Sequence, residues 1–67
     1  MIFCINCQTA TQCVAAKDHV PTGFKVLKQS KNKLFLEGSD MEGDILILWA
    51  TKYEGIVACV NDTKFVL

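Results

Sequence analysis

The sequence predicts an α+β fold: one α-helix, at about residues 9–19, packed on a curved, mainly antiparallel sheet of about five strands. The expected order is β-α-β-β-β-β(-β). Three observations carry this. A capping signature precedes the one stretch with helical periodicity. From residue 24 onward the apolar period shortens from 3.6 to 2. Glycine, proline, asparagine and aspartate then cut the chain into short segments. At 67 residues the chain has room for one domain, expected to span residues 1–67.

Met1 to Ile5 is short, apolar and β-prone, which makes it a first strand. Thr9-Ala10-Thr11-Gln12 has the S/T-x-x-E/Q form of a capping box, with Thr9 accepting from the Gln12 amide. Ala10, Cys13, Val14 and the stem of Lys17 then share one helical face, and Pro21 stops the helix. Residues 24–29 and 33–37 are hairpin partners around a turn at Ser30-Lys31-Asn32. Residues 38–44 are polar and bounded by glycine, a loop. Residues 45–50, Ile-Leu-Ile-Leu-Trp-Ala, are apolar at every position and so are expected as a central strand covered on both faces. Tyr53-Glu54-Gly55 turns into a strand at 56–60, and Asn61-Asp62-Thr63 into a last one at 64–67.

Composition narrows the function classes. A hydrophobic share of 51% and a charged share of 21% exclude a disordered acidic segment. The longest apolar run, residues 45–50, is far below the roughly 18 residues of a membrane span. No basic region followed by an apolar core opens the chain, so a signal peptide is not expected, nor a membrane partner. Seven lysines balance seven acids and there is no arginine, which removes both the general attraction to nucleic acid and the usual tool for reading bases. Nothing marks the four cysteines for an oxidising compartment, which points to free thiols in the cytoplasm.

The sharpest local motif is Cys4-x-x-Cys7, followed by Cys13 and His19. Thiolates and an imidazole are zinc ligands, but a zinc ribbon needs a second Cys-x-x-Cys, which is missing here. An aromatic, a Cys-x-x-Cys and a helix start are together similar to the active turn of thioredoxin-like proteins, where the helix N-terminus lowers a thiol pKa. That resemblance covers about seven residues; the strand before it is short and Pro21 lies too near the cysteines. The expectation is therefore four cysteines used as small hydrophobes, with Cys7 the one exposed enough to react, and no metal or other cofactor. His19, the lone histidine, sits where a helix C-terminal dipole would hold it. No Ser-His-Asp set, His-Glu-x-x-His or phosphate-cradling loop is present, so no catalytic residue is nominated and the chain is not expected to be an enzyme. Asp40, Glu42 and Asp44 alternate, yet the rest of a calcium loop is absent.

Charge is unevenly placed. Four of the seven lysines lie between Lys25 and Lys33, and four of the seven acids between Glu37 and Asp44. Such a dipolar surface steers a partner without net charge. Lone aromatics supply the anchors: Phe35 alternates against Leu34 and Leu36, and Trp49 and Tyr53 share a face of their expected strand. The candidate partner-binding residues are thus Phe35, Tyr53, Trp49, Lys25, Lys28, Lys33, Asp40, Glu42 and Asp44. One helix cannot cover both faces of such a sheet, which leaves apolar surface for a partner.

Residues 19–26, His-Val-Pro-Thr-Gly-Phe-Lys-Val, resemble a helix-to-strand joint of small phage inhibitors of host polymerase, over a stretch too short to identify a family. The functional expectation is a small non-catalytic protein-binding modulator. It would be an inhibitor or adaptor occupying a surface of a larger machine, as phage or mobile-element anti-defence and anti-polymerase proteins do. A protein partner is expected, a second copy of the chain is compatible with it, and nucleic acid is disfavoured. The alternative is a small zinc- or nucleic-acid-binding module using Cys4, Cys7 and the Lys25 to Lys33 hairpin.

Overall fold

Four strands and two helices are laid out in the computed structural model, which describes residues 1–61. They are β1 (Ile2–Cys7), α1 (Ala10–Lys17), β2 (Lys25–Ser30), β3 (Lys33–Glu37), α2 (Gly43–Lys52) and β4 (Ile56–Asn61), with a 3-10 turn at Asp40–Glu42. The sheet is antiparallel throughout, in the order β2-β3-β1-β4. This β-α-β-β-α-β sequence of elements with β1 and β3 in the middle is the ferredoxin-like, split βαβ arrangement.

β1 organises the core. Phe3, Ile5 and Cys7 point to one face, where they meet Leu34 and Leu36 of β3, Cys13 of α1 and Leu46 of α2. Both helices therefore cover the same face. Phe3 meets Phe24 edge to face, with ring centroids 5.9 Å apart, which fixes the entry into β2. Cys4 and Phe35 are register partners on the second face. There they are only 4% and 8% exposed.

Local chemistry sets the ends of these elements. The capping box forms as expected: Thr9 Oγ1 accepts from the Gln12 amide at 3.2 Å and donates to Gln12 Oε1 at 3.2 Å. The hairpin also forms, and Lys31 at its tip takes a left-handed φ of 56°. Asn32 fastens that tip to the end of β1: its Nδ2 donates to the Cys7 carbonyl at 2.9 Å and its carbonyl accepts from the Cys7 amide at 2.8 Å. Gly55 turns α2 into β4 at φ 95°, and a Cβ there would press on Gln12 at 2.9 Å. The Gln8 amide donates to the Gly55 carbonyl at 2.8 Å, so this turn is tied to the start of α1.

The main difference from the sequence expectation is residues 45–50. They are helical, inside α2, and the sheet has four strands among the described residues where about five were expected. Gly43, Leu46 and Ala50 are buried at i, i+3, i+7 spacing and seat the helix on β1. Ser39 Oγ accepts from the Met41 amide at 3.2 Å and starts the 3-10 turn that leads into the helix. Asp44 lies in the first helical turn and Lys52 in the last, each favourable to the helix dipole. The helix ends with Thr51 Oγ1 donating to the Ile47 carbonyl at 2.8 Å. The strand expected at 64–67 lies outside the described residues.

Replacing Thr9 with Ala should lower the unfolding free energy by about 1 kcal/mol, because the Gln12 amide, an orphan donor of α1, loses its side-chain acceptor. Urea titration should show an earlier midpoint with an unchanged m-value.

Candidate functional site

A ten-residue helix that is apolar nearly all round has only one side against the sheet. Leu46 is fully buried, whereas Leu48 is 56% exposed, Ile45 54% and Ile47 49%. Met41, in the turn before the helix, is 91% exposed. On the β4 side of the helix a shallow groove of about 390 Å³ runs between Ile47, Ala50 and Thr51 and residues 56–59. Val57, at its rim, is 66% exposed. The five uncovered apolar side chains leave on the order of 500 Å² of apolar surface, at the upper end of what a monomer shows. These side chains form the candidate contact surface.

Apolar surface was expected to remain on the face of the sheet that a single helix could not cover. The structure corrects this in part. Cys4 and Phe35 are buried at the centre of that second face, where Val60, opposite Cys4, is 48% exposed, and most of the exposed large apolar side chains lie on or beside α2. Phe35, expected to be exposed for binding, is a core residue. A four-stranded sheet that binds RNA stacks bases on exposed aromatics. The aromatic at that place here, Phe35, does not present its ring.

Trp49 and Tyr53 are indeed neighbours, but by helical i, i+4 spacing and not along a strand. Their ring centroids are 5.2 Å apart and both are half-buried. Tyr53 also lies 6.0 Å from the His19 ring, so the three rings join the end of α1 to the end of α2. Trp49 packs on the core from its edge.

The charged candidates separate along the long direction of the hairpin. Lys28, Lys31 and Lys33 are exposed toward its tip, while Lys25 sits opposite Glu37 at its base. Asp40 and Asp44 are exposed beyond that base, and the Glu42 carboxylate is half-buried against Gly23. Lys33 and Glu37 thus mark opposite ends of β3, about 14 Å apart at 3.4 Å per residue, with Lys25 at the acidic end. The structure does not bring the tip lysines and the acids into one site.

The cysteines form no reactive centre. All four are free. Alternation along β1 sends Cys4 and Cys7 to opposite faces. Among the described residues no three His, Cys, Asp or Glu side chains gather into a group able to hold a metal. Cys7, expected to be the exposed and reactive thiol, is 2% exposed. Burial raises its pKa from 9.0 to about 12, helped by the charge and hydrogen bond of Cys13 and by Cys4. Burial, then Cys4, also raises the Cys59 thiol. Both shifts work against the thiolate that redox or metal chemistry needs.

Ile45, Ile47, Leu48 and Met41 are the exposed residues that sequence reasoning missed. The signal was present: Ser39-Asp40-Met41-Glu42 has the S-x-x-E form that precedes a helix. Among the described residues no helix is long and apolar enough to cross a membrane, so the exposed side of α2 is not part of a spanning helix. Comparison with protein-family profiles, curated proteins and solved structures finds no match to this chain.

The raised Cys7 pKa has a definite sign in stability. The folded thiol stays protonated while the unfolded one ionises near 9.0, so alkali favours unfolding. This contribution is whole below about pH 9 and falls by up to about 1.4 kcal/mol per pH unit toward pH 12. Urea midpoints measured from pH 8 to 10.5 should drop more steeply in the wild type than in Cys7→Ala.

Proposed function

We propose that this chain is a small non-catalytic protein-binding domain, an adaptor or inhibitor that acts by occupying a surface of a larger assembly in the cytoplasm. The observation that supports it is the outer side of α2: Ile45, Ile47 and Leu48 are half or more exposed on a helix whose seat, Leu46 and Ala50, is already closed. Exposed apolar surface toward the upper end of the monomer range is often functional. It sits beside Asp44 and Lys52, so a charged rim surrounds an apolar centre, as interfaces are built.

The burial of Cys4 and Cys7 and the raised Cys7 pKa weigh against a zinc module, and the covered Phe35 ring against a base-stacking sheet. The ferredoxin-like arrangement decides nothing by itself, because that fold carries many unrelated activities. An inhibitor of the phage or mobile-element kind remains an analogy of size, and it predicts tight occupation of a partner and no turnover.

The test is Leu48→Glu. Its side chain points outward, so thermal stability should change by less than about 0.5 kcal/mol. Binding to a partner recovered from the native host should fall at least tenfold in a pull-down with purified protein. Undiminished binding would remove α2 from the interface.

A further inference from the structure

The outer side of α2 carries a pattern that selects its occupant. Asp44, Leu48 and Lys52 are all exposed and lie at i, i+4, i+8, so they form one ridge along the helix. Leu48 is the midpoint, with the acid about 6 Å toward the N-terminus and the base about 6 Å toward the C-terminus at 1.5 Å per residue. A ridge with an acid at one end, an apolar centre and a base at the other complements itself when reversed. Antiparallel pairing sets Asp44 of one copy against Lys52 of the other, and twofold symmetry repeats the pair. The helix dipoles also oppose favourably in that orientation.

We infer that this face takes a second copy of the chain, with the two α2 helices antiparallel about a twofold axis at Leu48. This rests on the reading of α2 as a docking face and names the partner. Area agrees with it. A standard interface covers about 800 Å² per partner, and the exposed apolar side chains alone offer on the order of 500 Å² toward it. Apolar contact at Leu48, Ile45 and Ile47 supplies the affinity, and the two charge pairs set the orientation.

Sedimentation equilibrium on the full chain, from about 1 μM to about 500 μM, tests this. The wild-type mass should climb from 7.4 kDa toward twice that value. Leu48→Glu should stay at 7.4 kDa with its near-ultraviolet circular dichroism intact. Asp44→Lys and Lys52→Glu should each raise the dimer dissociation constant about tenfold, since each sets like charges together twice. The double variant D44K/K52E should restore it to within about threefold of wild type, while losing some thermal stability to reversed dipole charges.

A wild type that stays monomeric throughout, or a Leu48→Glu variant that still dimerises, overturns the inference. A double variant no better than the single ones overturns the antiparallel arrangement. If the wild type is monomeric and Leu48→Glu still abolishes capture of a host protein, self-association fails and the docking reading stands.

Discussion

Everything in this fold depends on covering β1. Phe3, Ile5 and Cys7 line one side of the strand and Cys4 lies on the other, and all four are nearly inaccessible to solvent. The hairpin β2–β3 and the edge strand β4 flank β1 laterally, while α1 and α2 close its apolar side. Leu46 and Ala50 are the residues that bring α2 down onto that side. Once they are seated, helical geometry sends Leu48 and its flanking isoleucines away from the core, and they stay exposed. The exposed apolar face is the other half of the core-forming helix. A sequence that closes its sheet with so apolar a helix leaves an apolar outer side.

The same requirement explains the thiols. Cys7 and Cys13 meet in the core, where a small polarisable side chain fills space between strand and helix. The conditions that make Cys7 a good core residue, burial and the nearness of Cys13, hold its proton on. What looks in one dimension like a reactive Cys-x-x-Cys is therefore packing, with one cysteine on each side of β1.

How much could be read in advance varies by element, and each case has a physical cause. The hairpin and the Thr9 cap were legible because their signals are local: alternating side chains around a turn, and a hydroxyl three residues before a glutamine. Residues 45–50 were not, since a run that is apolar at every position has no period, and a buried strand and an apolar helix then look alike. The capping signature at Ser39 and the acid-first, base-last placement of Asp44 and Lys52 were the signals that separate them. Alternation placed Phe35 opposite Leu34 and Leu36 correctly, but a pattern of faces does not tell whether a face is covered. Trp49 and Tyr53 were paired for the wrong reason: helical spacing, not strand alternation, brings them together. The charged candidates were legible as two clusters, while their separation along β3 required the register.

The central claim is that residues 43–52 form a helix whose outward side is apolar, and backbone chemical shifts of the isotope-labelled protein test it most directly. Cα secondary shifts should be uniformly positive from Ile45 to Ala50, with strong sequential amide–amide contacts. Negative shifts there, with cross-strand contacts from Leu46 or Leu48, would mean a central strand in place of the helix. The exposed face and the role assigned to it would then both be withdrawn.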